Sequence, residues 1–176
     1  MTNRKELQKR YKNGERDFSE VKITNARLTD FNVPRAIFRN SDLSNCTIEL
    51  SSFDFIDLSG SNLRNTRIDE VSFDAANLSG VNLSGAFFTI PIFRDANLSY
   101  VNLSGAFLGE ALFKNSDFTH ANLTGTTLRD ASFKKCNFSY ANLSGIRDFR
   151  TQRFKGTVFH ETIMPDCSIR TDAPSN

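Results

Sequence analysis

From Phe18 onward, every fifth residue is large and apolar: Phe18, Ile23, Leu28, Val33, Phe38 and so on in steps of five to Leu143, twenty-six centres without an exception. Two residues before each centre the side chain is nearly always small, as at Ala26, Ala36, Ser41, Cys46, Ala76 and Ala141. Asn, Asp, Ser, Thr, Gly and charged residues fill the positions between. A helix buries residues at a spacing near 3.6 and a strand at a spacing of 2. Five matches neither. Two inward positions in every five suit a chain that turns a corner once per repeat.

A longer beat of twenty lies over the shorter one. The segment NLSGVNLSGAF beginning at Asn77 returns as NLSYVNLSGAF beginning at Asn97. If four sides close one turn, residues twenty apart stack at about 4.8 Å, the usual spacing of paired strands. The choice of side chain supports this. Phe53, Phe73, Phe93, Phe113 and Phe133 form one all-Phe column, whereas Leu63, Leu83, Leu103 and Leu123 belong to an aliphatic neighbour. Each buried centre contributes ~1.5–3 kcal/mol, while fixing one backbone residue costs ~1–2 kcal/mol. A single turn therefore cannot hold itself together, and stability must come from stacking.

The pattern resembles the pentapeptide-repeat family, A(D/N)LxX with a central Leu or Phe, over residues 17–145 and more weakly to about 170. That resemblance implies an all-β fold, a right-handed quadrilateral β-helix of about eight coils with the central and minus-two side chains inward. The expected core includes Phe53, Phe73, Phe93, Phe113, Phe133, Leu83, Leu103 and Leu123.

Three segments follow: a capping helix within 1–16, the β-helix over 17–145, and a distorted final coil with a tail over 146–176. Residues 3–13 read as the helix, with Asn3 and Glu6 as its start signal and Gly14 as its stop. Leu7 and Tyr11 share one face and are placed to cap the first coil, covering an edge that would otherwise invite aggregation. The stretch ELQKRYKNGERDF is similar to the leader of cyanobacterial family members. At the other end the beat slips by one residue after Gly145, which puts Arg147 and Gln152 into the small slots. Residues 165–176 are expected to trail away without structure.

Composition narrows the function. The 176 residues suit one domain, and a net charge of +2 gives no case for a nucleic-acid or membrane partner. The basic excess sits at the start, with six Lys/Arg against two acids in residues 1–16 and eleven against fourteen in residues 17–145. No apolar run approaches the ~20 residues of a membrane span, and the N-terminus lacks a signal-peptide core. Three cysteines, an odd number, point to a reducing cytoplasm. Cys46 and Cys136 fall in small inward slots about four and a half coils apart, beyond disulfide reach.

Chemistry is not evident. The two histidines, His120 and His160, lie in an ordinary outward slot and in the terminal segment. Asn82, Asn102, Asn122 and Asn142 form a column read as a hydrogen-bonded ladder. No catalytic, metal or cofactor site is expected, and the chain reads as a non-enzymatic module.

Labelling the sides by their centres gives A (Leu78, Leu98), B (Leu83, Leu103), C (Phe88, Leu108) and D (Phe93, Phe113). Sides A and B carry neutral Ser and Thr in the slot after the centre, whereas C and D depart from the repeat. Their outward slots hold Leu50, Phe55, Phe87, Ile90, Ile92, Phe107 and Leu112. Phe87, Ile90, Ile92, Phe107 and Leu112 are expected to form one apolar patch on two neighbouring coils, a few hundred Å² in extent. That patch is the candidate partner-binding site, for another protein or for a homodimer through sides C/D or the coil ends. The alternative is a DNA mimic, as family members acting on DNA gyrase are thought to be. Side D is acidic only near Glu49, Asp54, Asp69, Glu70 and Asp74, then turns basic at Arg94, Lys114 and Lys134.

Overall fold

The protein, described over residues 3–150 and 153–172 in a computed structural model, is a four-sided β-solenoid with one short helix at its start. Helix α1 (Arg4–Lys12) begins where the Asn3 side chain accepts the Glu6 N–H at 3.0 Å. It ends at Asn13, and Gly14 follows at φ +97°, a conformation that favours glycine. Leu7 is buried against the first coil, and the Tyr11 hydroxyl donates to the Pro34 carbonyl at 2.9 Å. Gln8 reaches the Asp30 carbonyl at 3.1 Å. One apolar plug and two polar anchors thus hold α1 over the first coil.

On side C, β1 (Arg27–Thr29), β2 (Thr47–Glu49), β3 (Arg67–Asp69) and β4 (Phe87–Thr89) pair in parallel, each twenty residues after the last. On side D, β5 (Ile92–Arg94) follows β4 around the corner, and β6 (Phe107–Gly109) then extends the side C sheet to five strands. Next come β7 (Leu112–Lys114), which pairs with β5 on side D, and β8 (Ser132–Lys134), which pairs with β7. Sides A and B are joined by single bridges. One such column runs Asp17, Ile37, Asp57, Asn77, Asn97, Asp117, Asn137 and Val158, one residue from each level of the stack.

The second residue after each centre turns the corner in the left-handed region, with φ 56° at Asn25, 57° at Asn45 and 65° at Gly80. Asn and Gly tolerate that region best.

Phe and Leu columns meet inside. Phe93 and Phe113 stack at 4.7 Å between ring centroids, and Phe113 and Phe133 at 4.8 Å, as the expected rise requires. Polar minus-two residues are buried but satisfied: the Ser61 hydroxyl donates to the Phe38 carbonyl at 2.6 Å, and Thr126 to Leu103 at 3.0 Å. Cys46 and Cys136 occupy the same inward slots, and burial pushes the Cys136 thiol up to about 12. Cys167 is exposed. A thiol reagent near neutral pH should therefore label one cysteine in the native protein and all three after denaturation. Rapid labelling of Cys136 in the folded state would contradict its placement.

Two expectations at the C-terminal end are corrected. Thr127 still bridges Arg147, and Ile146 fills the inward slot, so the register holds past Gly145. The bridge from Asn137 reaches Val158, so the extra residue enters between Arg147 and Val158. Arg147 faces outward, and Gln152 lies outside the described residues.

The segment after Met164 does not trail away. β9 (Thr162–Ile163) pairs antiparallel with β10 (Ile169–Arg170), Met164 donates to the Ser168 carbonyl at 2.8 Å, and Asp172 donates to the Phe159 carbonyl at 2.7 Å. The last coil presents a strand edge, and the chain doubles back to cover it. Residues 173–176 lie outside the described residues.

Candidate functional site on the corner between sides C and D

Where β4 and β6 lie side by side, Phe87 and Phe107 stack with centroids 4.5 Å apart and planes 8° from parallel. The Arg67 guanidinium lies 5.5 Å from the Phe87 centroid, on the neighbouring coil below. Phe107 leans across Gly109, where an added Cβ would come within 2.6 Å of its ring. This explains why Phe87 is 41% exposed while Phe107 is half-buried.

The corner beyond carries Asp30, Leu50, Glu70, Ile90, Glu110 and Asp130, one per level. Leu50 has φ 48° and is 53% exposed, and Ile90 has φ 51° and is 44% exposed. A β-branched side chain in the left-handed region is a strained choice, costing on the order of 1–3 kcal/mol. Ile92 pairs with Leu112 just around the corner. A groove of about 550 Å³ runs here, its walls made by Leu50, Glu70, Val71, Ile90 and Ile92, with Asn32, Ser52 and Ser72 beside them.

Of the five residues expected to form one patch, two line this groove. Ile90 and Ile92 line the groove, while Phe87, Phe107 and Leu112 are not among its walls. The groove instead extends down the rod to Leu50, a residue visible in the sequence as an outward apolar slot. Glu70 makes no ion pair among the described residues, unlike its neighbours Glu49, Asp69 and Asp74, which pair with Arg27, Arg67 and Arg94.

Elsewhere, the Asn column on side B works mainly within each turn. Asn82, Asn102, Asn122 and Asn142 accept the N–H two residues on, at 2.9–3.1 Å. Among these four, one contact between rungs is present, Asn122 to Asn102 at 3.4 Å. His120 is exposed, as expected, but it stands in a column that sequence reading passed over. Tyr100, His120 and Tyr140 stack at 4.8 and 4.9 Å, and His160 meets Tyr140 edge-on at 5.3 Å. Their spacing in the corner slot was the available signal. Among the described residues, no group of His, Cys, Asp and Glu could hold a metal ion.

This architecture, a repeat solenoid with a groove on one corner, defines the protein class. The profile of pentapeptide repeats matches in eight copies, over residues 17–54, 51–89, 92–130 and 113–147. The chain belongs to the pentapeptide-repeat family.

Solved structures of similar fold include HetL, a pentapeptide repeat protein involved in heterocyst differentiation regulation from the cyanobacterium Nostoc sp. strain PCC 7120. It is 20% identical, the match covers 97% of this chain and 100% of HetL, and the TM-score is 0.42. Rfr23 from the cyanobacterium Cyanothece 51142 is 22% identical over 86% of this chain and 95% of its own, with a TM-score of 0.44. QnrB1, a plasmid-mediated fluoroquinolone resistance protein, is 19% identical over 81% and 90% respectively, with a TM-score of 0.36. A search of curated proteins finds no match. No helix among the described residues is long and apolar enough to cross a membrane.

Proposed function

We propose that this chain is a non-enzymatic scaffold of the cytoplasm that binds a protein partner at the corner between sides C and D. The observation that carries the reading is Ile90. Asn, Asp and Gly, the commonest residues in the other corner slots, relieve the backbone and face water at no cost, and Ile90 is the one β-branched residue in the left-handed region among the described residues. Ile90 gives up both advantages, and Leu50 repeats the choice two coils lower. Residues that oppose stability and solubility at a surface groove point to contact with a partner. Phe87 and Phe107 extend the apolar surface on side C.

DNA mimicry draws less support, because Glu49, Asp69 and Asp74 are tied to arginines. The exposed Arg94, Lys114 and Lys134 also break the acidic run. End-to-end homodimers draw less as well, since α1 and the β9–β10 hairpin occupy the coil ends.

The test is Leu50→Asn with Ile90→Asn. Relief of two strained corners should keep the melting temperature level or raise it, while retention of the native partner from cytoplasmic extract is lost. Unchanged retention, or a melting temperature that falls sharply, would show that these residues serve the fold.

A further inference from the structure

We infer that the occupant of this groove is an amphipathic helix of another protein, with apolar and basic residues alternating along one stripe. This rests on the protein-binding reading above and specifies its partner.

The first argument is hydrogen bonding. Along the sides of the rod, backbone N–H and C=O groups point parallel to the axis and are used between turns, as Ile90 N–H to Gly109 C=O at 3.0 Å and Leu50 N–H to Asp69 C=O at 3.1 Å. A partner strand laid on the side would find no main-chain ladder to join. A helix needs none, because its own backbone bonds are satisfied internally.

The second argument is spacing and charge. The corner column alternates along the axis: Asp30, Leu50, Glu70, Ile90, Glu110. Successive rungs rise about 4.8 Å, close to the helical pitch of about 5.4 Å. Same-face residues of an extended strand recur at about 6.6 Å and fall out of step. A helix with apolar residues at i and i+7 would meet Leu50 and Ile90, about two rungs apart. Lys or Arg at i+4 and i+11 would then face Glu70 and Glu110. Both carboxylates are exposed and make no ion pair among the described residues. Ile92 forms the side wall.

A second copy of this chain does not supply such a helix from its described residues. The one helix, α1, already buries Leu7 against its own first coil, with Tyr11 anchored to Pro34.

The test uses the full chain and a fluorescent, lactam-stapled peptide of eighteen residues carrying Leu at i and i+7 and Lys at i+4 and i+11. The controls are the same peptide with Glu in place of Lys, and an unstapled version containing proline. The stapled Lys peptide should bind by anisotropy at least about tenfold more tightly than either control, a difference of about 1.4 kcal/mol. Glu70→Lys with Glu110→Lys should reverse the preference between Lys and Glu peptides while leaving the melting temperature unchanged.

If the Lys peptide binds no better than the proline control, or if charge reversal changes nothing, the helix assignment is overturned. A native partner that still depends on Leu50 and Ile90 would in that case leave the protein-binding reading standing. Self-association that disappears in the Leu50→Asn, Ile90→Asn protein would assign the groove to a second copy and also overturn the helix.

Discussion

Phe113→Asp should abolish the folded state at 25 °C, with loss of the β signal in circular dichroism and loss of soluble protein. Phe113 is 1% exposed and stacked between Phe93 at 4.7 Å and Phe133 at 4.8 Å. Phe118 meets it edge-on at 5.1 Å. Truncating such a side chain costs ~3–5 kcal/mol. A carboxylate left in its place has no partner among the surrounding Phe rings and adds several kcal/mol more. Domains of this size have a total stability of only about 5–15 kcal/mol.

A solenoid does not confine such damage to one level, because each turn is held by its neighbours. Ser104→Asp is the matched control. Ser104 points outward on side B, and its N–H donates to Asn102 Oδ1 at 3.0 Å, a bond that survives the substitution. Its melting temperature should stay within a few degrees of the parent. Equal damage from the two substitutions would sink the assignment of inward and outward slots.

The contrast between those residues was legible before any coordinates, because the core of a solenoid is one-dimensional. A side chain twenty residues away is a spatial neighbour, so the column Phe53, Phe73, Phe93, Phe113, Phe133 can be read as a list of contacts. The cap was legible for a different reason. Asn3, Glu6 and Gly14 are local signals whose meaning does not depend on the rest of the chain.

What escaped reading depends on tertiary context. The hairpin of β9 and β10 has little alternation of its own, and it forms because the last coil offers an edge to cover. The slip was read too early, after Gly145 rather than after Arg147, because Phe149 fits as the next centre of the shifted beat. Phe149 is in fact half-buried beside Phe154, with tilted rings 4.8 Å apart. At the groove, Leu50, Ile90 and Ile92 were recognisable as apolar outward residues. The groove they line and the strain at Ile90 needed the geometry of the corner. The column of Tyr100, His120 and Tyr140 was open to the same twenty-residue reading as the Phe column, but aromatic stacking was sought only inside.

Leu7→Asp should release the cap and turn a well-behaved protein into one that associates through its first coil. Leu7 is 1% exposed beneath α1, and its removal alone forfeits ~2–5 kcal/mol of packing. What remains to hold the helix is weak. Tyr11 keeps one hydrogen bond to Pro34, Gln8 one to Asp30, and the Arg10 guanidinium lies 5.1 Å from the Phe18 ring centroid. A nine-residue helix is marginal in water once its packing is lost. The rod below loses little of its own stacking, so its β signal should persist where that of Phe113→Asp does not.

Its first coil, however, would then present Phe18 and a strand edge to solvent, the arrangement that templates pairing with another chain. The expected result is a β spectrum with reduced helical content and a mass, by light scattering, that grows with protein concentration. Lys5→Asp, on the exposed face of the same helix, should remain at the parent's mass. Should Leu7→Asp keep both the helical signal and the parent's mass, α1 is not what protects that edge.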